Sequence, residues 1–490
     1  MPQQPPLCVD MDGTLVRGDT LYELFFACLR RHPLFLLRLP FWLLKGKAAL
    51  KAELARIVDP AGLELCFHPE VNDWLQAERA GGRHLVLATA ADRRVAEAVA
   101  ERTGLFDEVI ATDHGRNLRG TEKAAALAER FGAGGFDYAG NDGSDLPVWQ
   151  QARQGIVVAP AGSSIVTRAQ ATGKVGKVIA VPGASIRAAL KAMRPHQWAK
   201  NALVFLPILG AHEFGDMRAW LHALMAFIAM GMVASAGYLV NDLLDLQADR
   251  AHPRKRRRPF ASGALPVQAG IPMVAGLLAA AAAIAGAVSL ALMVWLGVYL
   301  VLTFTYSLWL KQKVLIDVFV LSALYTHRVL AGAIATGIVP SFWLLALSVF
   351  FFLSLAMLKR YSELVDRVAK GPPAEGGAIA RGYRAVDLDT LLGLGTASAF
   401  ASVFVLALYI QSDNVLVLYR TPELFWLCCP LVLYWLSRMW VGARRGVIDD
   451  DPLIFALRER ISLLILGLIV LLATLSTTVD FGCLLGVRCG

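Results

Sequence analysis

The chain has 490 residues, a net charge of +9, 56% apolar residues and a mean hydropathy of +0.52. This length allows more than one domain, and the apolar fraction is higher than soluble proteins usually have. Most of the excess positive charge lies in short loops between apolar runs after about residue 200. That distribution favours membrane topology over a nucleic-acid-binding face, and we expect no nucleic-acid partner.

The N-terminal region, residues 1–160, alternates short apolar strands with helical stretches. Residues 6–9, 84–87 and 136–139 are predicted strands, each followed by polar residues. This order predicts an α/β Rossmann-like parallel sheet with a site at the carboxyl ends of its strands. Residues 20–75 are predicted to form a helical cap. Its apolar stretch at 34–44 is too short to span a bilayer, so it is either cap core or a helix resting on the membrane.

Residues 161–183 lack clear periodicity and are predicted to be a linker, and residues 184–490 an all-helical membrane domain. Nine apolar runs approach the length that crosses a bilayer. They lie near 200–213, 219–240, 268–288, 289–309, 314–335, 339–359, 390–411, 422–441 and 460–481. Lysine and arginine are concentrated in the even-numbered loops, which predicts a cytosolic N-terminal domain and an outside C-terminus.

We expect neither a secretory signal at the start of the sequence nor a metal site formed by its cysteines. The Pro/Gln-rich start leads directly into the first strand and does not have the basic and apolar order of a secretory signal. The seven cysteines show no metal-binding spacing, and we expect buried free thiols. Cys483 and Cys489 would pair only if the C-terminus faces an oxidising space.

Asp10 and Asp12 directly follow the first predicted strand, in a turn opened by Gly13. Asp10 is suited to attack a phosphoryl group and form an aspartyl-phosphate. Asp12 is suited to protonate the leaving oxygen and then to activate water. Mg²⁺ would hold the phosphate against the carboxylates. The pattern predicts a phosphohydrolase.

The segment Asp-x-Asp-Gly-Thr at 10–14 resembles the first motif of the haloacid dehalogenase superfamily, and the resemblance extends over residues 6–160. It implies that Thr89 binds phosphate and that Lys123 neutralises charge beside the nucleophile. It also implies that the loop 140–145 completes a magnesium site with the two aspartates. The family has an aspartate directly after the glycine of this loop, where this chain has Asn141. Either Asn141 ligates Mg²⁺ through its amide oxygen, or Asp142 takes over, or the domain is a regulatory module without turnover.

Asn241, Asp242, Asp245 and Asp249 stand at the cytosolic end of the second predicted span. The three carboxylates fall at i, i+3 and i+7 and share one face of a helix. Acidic residues beside a bilayer are costly and usually functional, and their oxygens suit Mg²⁺ bridged to substrate phosphates. A dense cation cluster follows at 250–258, and it favours a diphosphate site over membrane anchoring alone. The predicted diphosphate ligands in this cluster are Arg250, Lys255 and Arg258.

Further polar residues follow the fourth predicted span or lie within later ones. His327 and Arg328 lie inside an apolar span, where they either pack helices together or bind phosphate in a cavity.

The pattern from Asn241 through the basic cluster resembles the first aspartate-rich motif of UbiA-type transferases, and the resemblance covers about 190–480. It implies an all-helical enzyme, typically of nine spans, that uses Mg²⁺ and a diphosphate leaving group. A second motif would follow the fourth span, where this chain has fewer acids than transferases with aromatic substrates. The resemblance implies further substrate ligands and one further magnesium ligand, Asp317, and these substrate ligands are Tyr306, Lys311, His327, Arg328 and Lys359. The segment 194–201, Arg-Pro-His-Gln-Trp-Ala-Lys-Asn, is similar to the decaprenyl-phosphate phosphoribosyltransferase branch. That branch implies phosphoribosyl diphosphate as donor and a polyprenyl phosphate as acceptor. Lys200 would then bind a phosphate, and Asn201 a polar substrate group.

Together these patterns predict a bifunctional enzyme of a bacterial inner membrane. The membrane domain would transfer 5-phosphoribose to a polyprenyl phosphate, and the soluble domain would remove the 5-phosphate for cell-envelope chemistry. The alternative is transfer of a prenyl group from its diphosphate to an aromatic or other small acceptor, beside a regulatory or inactive N-terminal domain. A homo-oligomer is compatible with either function.

Overall fold

The computed structural model describes residues 4–113, 117–369, 381–412, 419–448 and 451–479. The chain divides into two compact units, each formed by two segments. The first unit contains Met1–Met193 and Tyr238–Ala275, and the second contains Arg194–Gly237 and Gly276–Gly490. Cys483, Cys489 and the C-terminus, for which a disulfide and an outside location were predicted, lie outside the described residues.

The first unit is built on a six-stranded parallel sheet in the order β3-β2-β1-β4-β5-β6. Central strand β1 pairs on both sides, with Leu7 opposite Leu85 and Asp137. Its three residues are apolar and fully buried, as a strand covered on both faces requires. The predicted α/β sheet is confirmed. The strands are β1 Leu7–Val9, β2 Leu85–Asp92, β3 Glu108–Thr112, β4 Asp137–Gly140, β5 Gln154–Ala159 and β6 Val175–Ala180.

Helices cover both faces of this sheet and form a cap between β1 and β2. The first cap helix begins where the Asp19 side chain accepts a hydrogen bond from Leu21 N at 2.9 Å, and it ends before Pro33. The helices are α1 Thr20–Arg31, α2 Leu39–Leu44, α3 Lys47–Ile57, α4 Pro69–Ala80, α5 Arg93–Thr103, α6 Thr121–Phe131, α7 Leu146–Gln151, α8 Ser164–Gln170 and α9 Ile186–Met193. Short 3₁₀ turns lie at Pro33–Leu37, Pro60–Gly62 and Gly143–Asp145.

The segment 161–183, expected to be a linker, contains α8 and the sixth strand of the sheet. Within the described part of the chain, strand β6 pairs with β5 alone, and four of its six residues are exposed. An exposed edge strand carries no alternating apolar pattern, which is why its sequence resembles that of a loop.

The membrane-spanning character of the chain is confirmed by eight long apolar helices within the described residues. The first predicted span, at 200–213, is instead a 3₁₀ helix, Pro195–Phe205, followed by α10, Leu206–Ala211. Pro195 and Pro207 each open one of these two short elements, which together are shorter than a usual span. The eight long apolar helices nevertheless make the chain an integral membrane protein.

The remaining elements include the eight spans, whose positions match the other predicted runs. A short helix, α12, directly follows α11 and carries part of the acidic motif. The helices are α11 Met217–Leu244, α12 Leu246–Ala251, α13 Gly270–Val288, α14 Leu290–Leu308, α15 Ile316–Thr336, α16 Phe342–Ala369 and α17 Asp387–Ile410, then Pro422–Phe425, Cys428–Arg444, Pro452–Ala456 and Arg460–Thr478. Short 3₁₀ turns lie at Lys255–Arg257, Val267–Ala269 and Leu310–Gln312.

Candidate active sites

Asp10 lies at the switch point of the sheet, between neighbouring strands β1 and β4. Its backbone N–H donates to Ala139 O at 2.9 Å, which joins the ends of these strands. The following turn depends on Gly13, whose φ of +76° is unfavourable for other residues. A Cβ at Gly13 would collide with the Asn141 side chain, so the two loops pack directly against each other.

A buried polar network holds Asp10. Lys123, on α6, donates from Nζ to Asp10 Oδ1 at 2.6 Å and to the Tyr138 hydroxyl at 2.8 Å. Tyr138 in turn donates to Asp145 Oδ1 at 2.7 Å. The other Asp145 oxygen accepts the backbone N–H groups of residues 141 and 142 at 2.9 and 3.1 Å. Asp145 thus shapes the loop and places a second negative charge beside Lys123.

The pKa values of the two aspartates after β1 are raised towards neutral pH. Burial raises the pKa of Asp10 to about 7, although Lys123 opposes the shift. Burial, reinforced by the charge of Asp19, raises the pKa of Asp12 to about 6. Although burial opposes its charge, Asp10 and Asp145 raise the pKa of Lys123. A protonated Asp12 is suited to give a proton to a leaving oxygen, which matches its predicted role.

The other predicted residues of this site take different positions. Thr89 is buried within β2, directly before a register shift of the strand, and its hydroxyl accepts from Ala91 N at 3.1 Å. Asn141 Oδ1 accepts from the Thr14 hydroxyl at 3.2 Å, beside the aspartate loop. Asp142 is exposed, and its carboxylate accepts from Ser144 N at 2.6 Å and from the Ser144 hydroxyl at 2.5 Å.

The two aspartates line a cavity of about 510 Å³ together with cations and apolar side chains. The cations are Lys47, Lys51, Arg119 and Lys123. The apolar side chains include Leu39, Leu43, Phe25 and Ile271. The cavity is therefore suited to an anionic phosphate ester that also has an apolar part.

The aspartate-rich motif at the end of α11 converges on one cation. Arg258 Nη1 lies 3.1 Å from Asp242 Oδ1 and 2.6 Å from Asp249 Oδ2, and both carboxylates are buried. Asp245 takes a different partner, because Arg30 Nε of α1 lies 3.5 Å from its Oδ1. The structure thus brings together the first and third acids of the motif, with Asn241 half-buried beside Asp242 and Lys255 exposed in the following turn.

Arg250 is held by the cap of the same unit. Its Nη2 and Nη1 donate to Glu23 Oε1 and Oε2 at 2.7 and 2.9 Å, and its Nε donates to Ala261 O at 3.2 Å. Both side chains of this ion pair are almost completely buried. The predicted diphosphate ligand therefore joins α12 to helix α1 in this structure.

In the second unit, Lys200 and Lys359 share one carboxylate. Lys200 forms a close ion pair with Asp451 Oδ2, and Lys359 Nζ lies 3.3 Å from the same oxygen. Although burial opposes its ionisation, the two lysines lower the pKa of Asp451. Two cations converging on one buried oxygen form an anion-binding arrangement.

The rest of the segment 194–201 is fixed by buried contacts in the second unit. Trp198 donates to the Ser235 hydroxyl at 2.9 Å and packs where a Cβ on Gly231 would collide with its ring. Asn201 Oδ1 accepts from Arg328 Nε at 3.0 Å, and both residues are buried.

Neighbouring spans complete this polar cluster. Arg328 Nη2 donates to the Tyr299 hydroxyl at 2.7 Å. The His327 ring stacks on Trp295 with centroids 4.4 Å apart, and neither ring nitrogen has a hydrogen-bond partner within the described residues. The structure thus brings together two predicted substrate ligands, with Arg328 as the donor and Asn201 as the acceptor of one hydrogen bond.

Asp317 is enclosed by α16 and a following loop. Arg360 Nε lies 2.6 Å from its Oδ2, and the Tyr383 hydroxyl donates to its Oδ1 at 2.6 Å. Asp317 and Arg360 are fully buried. Arg360 also pairs closely with Glu363 and donates to the Tyr306 hydroxyl at 3.4 Å. Lys311 is half-buried in the turn Leu310–Gln312.

The donor sets are compatible with Mg²⁺ in two places. At the aspartate-rich motif, the Arg258 guanidinium occupies a position where two carboxylates converge, as they would on a metal cation. At the sheet, the Asn141 side chain packs against Gly13 and Thr14, in the loop that also carries Asp10 and Asp12. Among the described residues, no three His, Cys, Asp or Glu side chains form a metal-binding group.

Two family models match the chain. Residues 205–458, more than half of the chain, match the UbiA prenyltransferase family. The chain belongs to this family. Residues 7–149 match the haloacid dehalogenase-like hydrolases. The protein is thus a membrane enzyme that combines a transferase domain with a hydrolase domain, as predicted.

Several known proteins are similar to the chain. Protein y4nM of Sinorhizobium fredii, which is uncharacterized, is 35% identical over 95% of this chain and 89% of its own length. Nodulation protein NoeC of Azorhizobium caulinodans is 36% identical over 57% of this chain and 90% of its own. Decaprenyl-phosphate phosphoribosyltransferase of Mycobacterium tuberculosis is 35% identical over 38% of this chain and 64% of its own.

Among solved structures, a UbiA homolog from Archaeoglobus fulgidus bound to GPP and Mg²⁺ is 16% identical, with a TM-score of 0.43. The match covers 59% of this chain and 99% of that one.

Sequence reasoning did not single out several polar residues that the structure places in these sites. Asp145 and Tyr138 complete the network around Asp10, and Asp451 and Glu363 pair with predicted or neighbouring cations. The signal for Glu363 was present, because an acid three residues after Arg360 lies on the same helix face. Asp451 gave no local signal, because it contacts lysines that are far away in the sequence.

Proposed function

We propose that the membrane domain transfers 5-phosphoribose from phosphoribosyl diphosphate to a polyprenyl phosphate, and that the N-terminal domain then removes the 5-phosphate. The observation that most directly supports this proposal concerns the segment 194–201. Its Lys200 and the distant Lys359 both contact one buried oxygen, Asp451 Oδ2, and a substrate phosphate could occupy the same place. Similarity to decaprenyl-phosphate phosphoribosyltransferases supports the choice of donor and acceptor. We further propose a bacterial inner-membrane location with the hydrolase domain in the cytosol.

In the transfer step, an oxygen of the lipid phosphate attacks C1 of the ribose while the C1–O bond to diphosphate breaks. Asp242 and Asp249 are the proposed magnesium ligands, with Asn241, Asp245 and Asp317 as further candidates. Mg²⁺, when bound, neutralises charge on the departing diphosphate. The proposed phosphate contacts are Lys200, Lys359, Lys255, Arg258, Arg250, Lys311 and Tyr306, while Asn201, His327 and Arg328 are assigned to the polar part of the substrate.

In the hydrolysis step, the Asp10 carboxylate attacks the 5-phosphate and the P–O bond to the ribose breaks. Asp12 gives its proton to the departing ribose oxygen and then takes one from the water that cleaves the aspartyl-phosphate. Lys123 and Thr89 hold the phosphoryl oxygens. We assign the third metal-binding oxygen to Asn141 rather than to Asp142, because the Asp142 carboxylate caps the turn that follows it.

A double-label experiment tests both steps. Purified full-length protein is reconstituted in nanodiscs with Mg²⁺ and a polyprenyl phosphate. The donor is phosphoribosyl diphosphate that carries ¹⁴C in the ribose and ³²P in the 5-phosphate. We expect both labels to enter the lipid fraction, after which ³²P appears as inorganic phosphate while ¹⁴C stays with the lipid.

Two matched variants separate the domains. Asp10→Asn should accumulate lipid with both labels, and Asp242→Asn should leave both labels in the aqueous phase. If Asp10→Asn changes nothing, the hydrolase assignment fails and the regulatory interpretation remains. If wild-type protein ignores this donor but consumes a prenyl diphosphate with an aromatic acceptor, the function is prenyl transfer.

A further inference from the structure

The cap segment, residues 33–45, folds with an unusual distribution of apolar side chains. It contains the 3₁₀ turn Pro33–Leu37 and helix α2. Phe35 and Trp42 are buried and stack with ring centroids 5.8 Å apart, which fixes the segment to the domain core. The segment therefore has a defined conformation, and its other side is presented outward.

That outward side is almost entirely apolar. Leu34, Leu37, Phe41 and Leu44 are 77%, 74%, 66% and 86% exposed, and Leu36 and Leu43 add to the same patch. Contiguous exposed side chains of this size mark an interaction surface, because leaving them in water is unfavourable. The exposure decides against the interpretation that the whole segment is cap core.

The charged side chains of the cap segment and its flanks are all cations. Residues 24–52 contain no aspartate or glutamate and six lysines or arginines. Arg30 pairs with Asp245, and Lys47 and Lys51 line the Asp10 cavity, whereas Arg31, Arg38 and Lys45 are exposed in or beside the segment. An apolar face bordered by cations is typical of segments that lie in the interface of a bilayer with anionic lipids.

Other residues of the same unit indicate that a lipid bilayer is the partner that covers this apolar patch. Leu39 and Leu43 of the cap segment line the cavity of Asp10 together with Ile271. Ile271 is the second residue of α13, a helix long and apolar enough to cross a membrane. The cavity of Asp10 therefore includes a residue from the first turn of a helix that is suited to cross a membrane.

A second cavity, of about 550 Å³, opens within the patch itself. Its lining includes Leu34, Leu37 and Trp42, with Arg38 at the same opening. An apolar groove with one cation suits a lipid chain and its phosphate.

We propose that the cap segment inserts its exposed apolar side chains into the membrane surface and so presents the hydrolase cavity to phosphate groups of membrane lipids. The insertion is independent of the substrate, whereas the lipid-linked identity of the substrate rests on the proposed function. A phosphorylated head group could then reach Asp10 while its hydrocarbon chain stays among apolar side chains and lipid.

Photo-crosslinking tests the insertion in the full-length protein in nanodiscs. Phe41→p-benzoylphenylalanine places a reactive group of similar shape in the patch, and irradiation is done with radiolabelled phosphatidylglycerol. The control places the same group at Gln76, an exposed position on α4. We expect at least tenfold more lipid crosslinking at position 41. Equal crosslinking at both positions would overturn the proposal.

Kinetics test the consequence for the hydrolase. The variant Leu37→Ser/Phe41→Ser should raise KM for the phosphorylated lipid about tenfold and leave hydrolysis of the soluble ester p-nitrophenyl phosphate unchanged. An equal loss on both esters would assign the segment to domain folding and overturn the proposal. If the wild-type protein hydrolyses p-nitrophenyl phosphate but not the lipid, the proposed function fails, and crosslinking at Phe41 still decides the insertion.

Discussion

Arg250 of the aspartate-rich motif and Glu23 of the first cap helix form a two-pronged buried ion pair, with contacts of 2.7 and 2.9 Å. Arg250 follows Asp249 directly, and Glu23 lies on the helix that lines the hydrolase cavity through Leu21, Tyr22 and Phe25. The pair therefore connects the aspartate-rich motif to the cap of the hydrolase domain within one unit. Glu23 has a raised pKa because of burial, although Arg250 opposes the shift.

The variant Glu23→Ala should strongly destabilise the protein, because it leaves the buried Arg250 cation without this partner. Removing one partner of a buried pair typically costs about 3–5 kcal/mol. Thermal unfolding in detergent is the measurement. The control is Glu64→Ala, where an exposed side chain 3.8 Å from Arg102 should change stability by less than about 0.5 kcal/mol. Equal effects of the two variants would contradict a structural role for the pair.

The residues 141 and 142 should differ in their effect on magnesium use by the hydrolase. We expect Asn141→Ala to raise the Mg²⁺ concentration for half-maximal hydrolysis at least tenfold, and Asn141→Asp to lower it by adding a negative charge. Asp142→Asn should change it less than twofold, because this carboxylate already caps a turn. Magnesium titrations with p-nitrophenyl phosphate provide the measurement. The reverse order of effects would transfer the metal-binding role to Asp142.

Arg258 should compete with metal at the transferase motif when no substrate is bound. The variant Arg258→Gln removes a cation from between Asp242 and Asp249, so Mn²⁺ measured by electron paramagnetic resonance should bind more tightly. The same variant should raise KM for the diphosphate donor, since it removes a phosphate-binding cation. Removal of metal with EDTA should abolish transfer. Weaker Mn²⁺ binding in this variant would show that the arginine organises the carboxylates instead.

Asp451 should act as an internal anion that substrate phosphate replaces. Lys200→Gln and Lys359→Gln should each raise KM for the donor about tenfold, corresponding to about 1.4 kcal/mol. Asp451→Asn should lower that KM, because it removes the negative charge between the two lysines. Steady-state transfer assays measure both effects. A higher KM in Asp451→Asn would mean that the carboxylate only positions the lysines.

Local patterns predicted much of this protein. The strand before Asp10, the apolar spans and the acidic motif are each encoded within about twenty consecutive residues, because hydrogen bonding and burial within one element impose a period on the sequence. The misleading segments had weak periodic signals. Edge strand β6 is mostly exposed and gave no alternation, and the run at 200–213 is apolar but divided by Pro207.

The sequence by itself determined the parallel sheet of the first unit, the apolar helices, and which types of residue carry the chemistry. Only the tertiary structure decided the partners. Asp242 meets Asp249 through Arg258, Asp317 meets Arg360, and Asp451 joins two lysines from separate parts of the chain. Such pairings depend on packing between elements distant in sequence, and no local period records them. The same packing buries Phe35 and Trp42 and exposes the neighbouring leucines and Phe41. The sequence of residues 34–44 left open whether this stretch is cap core or a membrane-facing surface, and the exposure supports our proposal of a membrane-facing surface.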